Sequence, residues 1–251
     1  MAKLSEIVQF LDNYLENASI KDDSFNGLQF EGKEEVNKVL FAVDTGIETF
    51  KKAVELEADM VIVHHGHFWE KLNPCIKGFA KERFDILFEN QISLYASHLP
   101  LDRHREVGNN AQLLELLDAK ITEDFAEFEG ISISYAGIVK GTTVENIKEL
   151  IEKKLNTTCY ALEFGNKRVE KIAVCSGGGG LKVFNQAIEL KPDLYITGEQ
   201  TELYHLAKDA GINVIFAGHH ATETLGVKAL SKVVSENFNV KSEFVDIPTG
   251  L

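Results

Sequence analysis

FKKAVELEADMVIV (residues 50–63) and FNQAIELKPDLYIT (residues 184–197) are two passages of one 251-residue chain. Over the first ten positions Phe, Ala, Glu, Leu and Asp coincide, and an apolar run, MVIV or LYIT, follows each time. A helix-period segment feeding a short apolar strand is the second half of a β-α-β unit. Working outward, FAVDTG (residues 41–46) precedes the first passage and lines up with IAVCSG (residues 172–177) before the second. SLYASHLPLD (residues 93–102) follows the first and lines up with VIFAGHHATE (residues 214–223). The letters imply an internal β-α-β-α-β duplication rather than a short solenoid period. Alternating strands and helices predict parallel wiring. Such strands are covered on both faces, which is why they read apolar throughout instead of alternating.

The fold class is therefore α/β, with two pseudo-symmetric α/β lobes. The first spans residues 1–125, with 226–251 packing back on it. The second spans 126–225, and the candidate metal ligands come from both. Leu4, Ile7, Val8, Leu11 and Leu15 predict an opening amphipathic helix. Strands are expected at 38–43, 59–63 and 92–97, with helices at 47–57 and 77–90. Between the halves, ISISYAGIV (residues 131–139) reads as a strand. Thr142 and Glu145 then fit a capping box opening the helix TVENIKELIEKKL. A last helix is expected from Gly226, before a short C-terminal strand.

Asp and Glu outnumber Lys and Arg 39 to 26, a net charge of −13, which disfavours binding polyanions over the whole surface. The first residues lack the apolar core of a secretory signal, and no run approaches the roughly 18 uncharged residues of a membrane span. Cys75, Cys159 and Cys175 form no CxxC pair and read as reduced thiols of a cytoplasmic protein.

Most of the eight histidines fall in three clusters: His64, His65 and His67; His98 and His104; His219 and His220. Each cluster directly follows an apolar strand, and ligand sites in parallel α/β sheets gather beyond the carboxyl ends of strands. A lone strand-end histidine is ordinarily a hydrogen-bonded structural residue. Three clusters accompanied by Asp102 and Glu223 are hard to obtain by packing alone, and imidazole with carboxylate is a donor set for divalent metals. Adjacent histidines on a bent loop reach different ions, and two carboxylates supply the charge that a pair of cations needs. His219-x-x-x-Glu223 shares one face if the strand runs into a helical turn. Pro100 argues for an irregular turn in His98-x-x-x-Asp102. Ser176-Gly-Gly-Gly-Gly180 lacks the Gly-Lys-Ser/Thr ending of a phosphate loop and reads as a turn or a backbone anion site. Glu199 and His205, after the next strand, are candidate outer-shell or proton-transfer groups.

FNGLQFEG (residues 25–32), VLFAVDTG, VHHGHFW, SHLPLD, TGEQTELYH and GHHATE occur in an order that resembles the Nif-three-like family along almost the whole chain. Members of that family carry the name GTP cyclohydrolase I type 2 homologue. The resemblance implies two intertwined lobes, a toroidal homohexamer, and two divalent metal ions per chain, whether zinc, iron, manganese or nickel. It implies His64, His65, Asp102, His219 and Glu223 as ligands, with Glu223 bridging. His98 matches a family position beside the site. The cyclohydrolase part of the name is inherited and does not define a reaction.

These readings lead to an expected metal-dependent hydrolase of a small polar or phosphorylated substrate, with His98, Glu199 or His205 moving the proton. The alternative is a ring-shaped scaffold binding single- or double-stranded DNA through KGFAKER (residues 77–83) and LDRHRE (residues 101–106). A third reading is a metallochaperone.

Overall fold

A computed structural model describes residues 1–251. The chain divides into two compact units, Met1–Leu101 with Val227–Ile247, and Asp102–Gly226 with Pro248–Leu251. The first opens with β1 (Ala2–Lys3), α1 (Leu4–Tyr14), β2 (Gly27–Phe30) and β3 (Glu35–Val36). It continues through β4 (Lys38–Asp44), α2 (Ile47–Glu55), β5 (Met60–His65), α3 (Phe79–Asn90), β6 (Ser93–Ala96) and the short α4 (Leu99–Asp102). The second carries α5 (Asn109–Leu116), β7 (Lys120–Phe128), β8 (Ile131–Thr142), α6 (Val144–Leu155) and β9 (Tyr160–Leu162). It goes on with β10 (Val169–Cys175), α7 (Gly180–Glu189), β11 (Leu194–Thr197), α8 (Tyr204–Ala210) and β12 (Asn213–Phe216). Then α9 (His219–Asn237) leads to β13 (Lys241–Phe244), which belongs to the first unit.

In the first unit the strand order is β13-β4-β5-β6-β2, parallel except for β2 at the edge. Phe50 and Ala53 of α2 and Phe84 and Leu87 of α3 pack on Leu40, Val61, Val63 and Leu94 of the sheet. Each such large side chain contributes roughly 1.5–3 kcal/mol by leaving water.

The second unit's sheet runs β7-β8-β10-β11-β12-β9, with β10, β11 and β12 parallel and the flanking strands antiparallel. Its core is sorted by the two-residue period of the strands. Ile172, Val174, Leu194, Ile196 and Ile215 face Leu113, Leu114, Ile147 and Ile151 of α5 and α6. Ala173, Cys175, Tyr195, Val214 and Phe216 face Phe184 and Ala187 of α7, Ala207 of α8 and Leu203 at its N-cap. Both faces are covered, as the unbroken apolar runs require.

The duplication is visible in the hydrogen bonds. Asp59 Oδ2 accepts the backbone N–H groups of Asn37 (2.6 Å) and Lys38 (3.1 Å), and Asp193 Oδ2 accepts those of Glu170 and Lys171 (both 3.0 Å). The N–H of Asp59 donates to Lys38 O and that of Asp193 to Lys171 O, each at 2.8 Å. Strand register then equates Val39 with Ile172, since Val39 pairs with Met60 and Ile172 with Leu194. The match of FAVDTG to IAVCSG is thus two residues out. The match of SLYASHLPLD to VIFAGHHATE is one residue out, because the N–H groups of Ser97 and Ala217 occupy equivalent places on Val63 O and Thr197 O. Gly218, at φ +92°, occupies the place of His98 and carries the chain one residue further before His219.

Three boundaries differ from expectation. Lys120–Phe128 pairs along its length with β8, so the first division falls at Asp102 rather than near residue 125. The strand β8 runs on to Thr142, so Thr143 is the N-cap of α6, its hydroxyl accepting from the Asn146 N–H at 3.2 Å. The last helix begins at His219 and not at Gly226, so the His219-x-x-x-Glu223 spacing lies within helical turns.

Asp59 is buried and also ion-paired with Lys33 at 2.6 Å. Burial alone would raise its pKa, but Lys33 and the two backbone donors hold it below the ordinary value of 3.8. Asp59→Ala strands those donors and is expected to cost about 1–3 kcal/mol by denaturant unfolding. Because the folded pKa is depressed, this stabilisation is complete well above pH 3.8 and drains away as the pH falls through the lower folded value. An Asp59→Ala variant with wild-type stability at neutral pH would contradict the anchoring role.

Candidate metal centre

In the first unit, β5 ends in His64 and His65, and His98 follows β6. Ring centroids of His64 and His65 lie 4.5 Å apart, those of His64 and His98 5.1 Å, and those of His65 and His98 5.5 Å. Each offers one donor atom, and the three atoms lie within 4.8 Å of one another. His64 is fully buried.

What orients the rings is equally specific. His64 Nδ1 lies 3.0 Å from Ser97 O, His65 Nδ1 2.7 Å from Asp44 Oδ1, and His98 Nδ1 2.9 Å from Asp22 Oδ1. An oxygen acceptor at Nδ1 places the proton there and leaves the Nε2 lone pair as the donor, the usual outer arrangement around a metal-bound imidazole. Asp44 reaches His65 because the two are paired in the β4–β5 register. Asp22 also accepts the Leu99 N–H at 2.9 Å, and Asn26 Oδ1 accepts the His98 N–H at 2.8 Å. Burial would raise the Asp22 pKa, yet His98, Asn26 and the Ser24 N–H bring it down to about 2. Gln29 Oε1 accepts the His67 N–H at 2.7 Å. The FNGLQFEG segment is thus the bracket that fixes the His98 and His67 turns.

In the second unit the helical spacing brings His219 Nε2 to 3.1 Å from Glu223 Oε1, and Glu199 Oε1 sits 2.7 Å from His219 Nδ1. Burial alone would lower the His219 pKa, but Glu223 and Glu199 together raise it to about 9. The surroundings therefore favour a cation, whether a proton or a metal. Glu223 is 2% exposed and Asp102 6%. Asp102 Oδ1 accepts from Asn109 Nδ2 (2.8 Å) and Ser176 Oγ (3.1 Å), and Asn109 Oδ1 accepts the Gly226 N–H (2.7 Å).

The glycine loop is tied into this arrangement through three of its N–H groups. The N–H groups of Ser176, Gly177 and Gly179 are taken by Asn110 Oδ1, Thr222 Oγ1 and Thr197 Oγ1. Gly177 has φ +60°, and a Cβ there would collide with the Glu223 carboxylate.

Among the remaining residues singled out from sequence, Glu199 is the anchor of His219. His205 is exposed on α8 with its ring 5.2 Å from that of Tyr204. His104 Nδ1 accepts the N–H groups of Glu106 and Val107 at 3.2 Å, and His67 Nδ1 faces Arg83 at 3.3 Å. Nothing in the sequence motifs marks Asp22 or Asn109 as an anchor of these side chains. Only Asp44 carried a usable signal, a carboxylate ending the strand beside the histidine strand.

The Duf34/NIF3 (NGG1p interacting factor 3) family model matches residues 2–249. A protein of Archaeoglobus fulgidus named GTP cyclohydrolase 1 type 2 homolog is 46% identical over 250 residues, 99% of each chain. The crystal structure of TTHA1606 from Thermus thermophilus has a TM-score of 0.89 at 37% identity, covering 100% of both chains. Reduced HcgD from Methanocaldococcus jannaschii has a TM-score of 0.84 at 26% identity, covering 98% of both. The family model over residues 2–249 and a relative 46% identical over 99% of both chains show that the chain belongs to the Duf34/NIF3 family.

Proposed function

We propose that the protein is a dinuclear, metal-dependent hydrolase of a small polar or phosphorylated substrate, with His64, His65, Asp102, His219 and Glu223 as ligands. The observation that carries this reading is the anchoring of His64, His65, His98 and His219, each with Nδ1 against an oxygen acceptor. Ordinary structural histidines need no such uniform orientation of Nδ1. The donor set of neutral imidazoles and buried carboxylates fits divalent zinc, iron, manganese or nickel.

When bound, two such ions would acidify a shared water and offset charge developing on a substrate oxygen. The chain's own groups do the positioning. Asp44 and Glu199 hold the His65 and His219 rings in place, and Asn109 and Ser176 aim Asp102. His98, paired with Asp22, and Glu199, on His219, are better placed to move a proton than the exposed His205.

The nucleic-acid reading has less support. Arg105 of LDRHRE is paired with Asp124 at 2.6 Å and Lys81 of KGFAKER with Asp85, so two of the five cations in these segments already face carboxylates. Affinity for phosphates depends on cations that can shed counterions to them.

Protein purified without chelator is expected to carry about two metal equivalents per chain by elemental analysis, a stoichiometry that follows from five ligands including a bridging carboxylate. His65→Ala and Glu223→Ala should each lose metal and any turnover. A Glu223→Ala variant that retains both equivalents would sink the assignment. Asp44→Ala keeps every ligand but removes the His65 anchor, and its metal affinity in chelator competition should fall roughly 10- to 100-fold. Unchanged affinity would show that the anchor is not part of the metal's support.

A further inference from the structure

The first unit contains a cavity of about 880 Å³ lying against its histidine group. Trp69 is shared between the two. Its ring centroid lies 4.9 Å from that of His98 and 6.0 Å from that of His65, and the same ring lines the cavity. The volume falls in the range of small-molecule sites, roughly 300–1,000 Å³.

The walls are mostly aromatic. Phe25, Phe68, Trp69, Leu72 and Phe79 line the space, and Phe25, Leu72 and Phe79 are 56%, 57% and 67% exposed. Three large apolar side chains left in water around one opening mark a binding surface rather than a packing accident. Among them stands one half-buried cation, Arg83. Its guanidinium lies 5.5 Å from the centre of the Phe79 ring, and Nη1 is 3.3 Å from His67 Nδ1. Neither neighbour is a carboxylate, and the enclosed Nε has no hydrogen-bond partner. Acidic residues outnumber basic ones 39 to 26 in this chain, so a half-buried arginine without a carboxylate is conspicuous. The carboxylate on the lining, Glu70, is exposed at the rim.

We infer that this cavity is the substrate pocket, and that it takes a planar aromatic or heteroaromatic molecule carrying a phosphate or carboxylate. The ring stacks among Phe25, Phe79 and Trp69, and the anion pairs with Arg83. A guanidinium presents a fork of donors that matches either oxyanion, and Phe79 stacks on its face to hold it in place. The scissile bond then lies on the Trp69 side, toward His65 and His98. This inference rests on the hydrolase reading for its chemistry but not for its binding geometry, so the two are separable.

Trp69 is the chain's single tryptophan, so its fluorescence reports the pocket without labelling. The probes are phenylphosphonate (ring and charge, no cleavable ester), benzyl alcohol (ring only) and propylphosphonate (charge only). They are titrated into full-length protein before and after chelator treatment, with metal content measured on every sample. Phenylphosphonate should change Trp69 emission saturably and bind at least about tenfold tighter than either partial probe, the worth of one added charge-assisted or stacking contact. Arg83→Met should weaken it roughly tenfold or more without altering metal content, and Arg83→Lys should recover part of the loss. Phe79→Ala, at an exposed position, should weaken phenylphosphonate and leave propylphosphonate unchanged, which keeps the test open if Arg83→Met fails to fold.

Saturable binding that ignores Arg83 and disappears with chelator would place the anion on the metals and overturn the pocket, while leaving the metal reading intact. Arg83-dependent binding that survives chelator would uphold the pocket, and it would overturn the dinuclear reading only where the protein carries no metal before chelator is added. If no probe binds and Phe79→Ala or Arg83→Met changes the sedimenting species, the opening is covered by a second copy of the chain and the inference falls.

Discussion

Parallel neighbours in a sheet finish at the same edge, and the histidine group of the first unit depends on that. Asp44 and His65 are register partners at the carboxyl ends of β4 and β5, so carboxylate and imidazole meet with no loop to position either. One strand further, Val63 pairs with Ala96, which sets the Ser97 carbonyl beside His64. Backbone register thereby decides which ring nitrogen carries the proton. A one-residue slip would turn His65 to the opposite face and separate it from Asp44. The buried residues of β4, β5 and β6 are what forbid the slip, so the apolar core and the polar edge are one constraint.

The repeated β-α-β-α-β units were legible because strands covered on both faces must be apolar, and because Asp59 and Asp193 repeat along with Phe50 and Phe184. The exact alignment was not legible. In FAVD and IAVC a shift of two residues preserves which side chains face which side, so the letters cannot exclude it. Only the pairing of Val39 with Met60 and of Ile172 with Leu194 settles it. The strand KITEDFAEF escaped for a different reason. It is an edge strand whose acidic residues are largely exposed, so it shows no continuous apolar run.

For the candidate site, the donors were legible from their places at strand ends, but their anchors were not. Asp22 contacts His98 across 76 positions of sequence, and Asn109 reaches Gly226 across 117. No local pattern encodes contacts of that span. The FNGLQFEG segment stood out only as a resemblance, and its physical content emerged as hydrogen bonds from Asn26 and Gln29 to the turns bearing His98 and His67. The glycine loop shows the converse. Its composition allowed a turn or a backbone anion site, whereas Asn110, Thr222 and Thr197 accept the N–H groups of Ser176, Gly177 and Gly179, and the missing Cβ of Gly177 makes room for Glu223.

The same anchors bear on the choice between catalyst and carrier. A protein that delivers metal must let its donors swing away, so its histidines do best on mobile segments with interchangeable partners. Here His65 and His98 are held by carboxylates at one end, and His64 by a buried carbonyl in a sheet-edge position. Donors fixed in advance lose little conformational freedom on binding, which favours retention and a constant geometry. Constant geometry is what a reacting substrate requires, because misplacement by about 1 Å forfeits much of the advantage of proximity. A cation carrier would gain nothing from an anion-binding cavity beside these rings, so the carrier reading and the proposed pocket exclude one another. The ordered rings and the aromatic cavity share Trp69 as a common wall, so a molecule held in that cavity would lie beside His65 and His98.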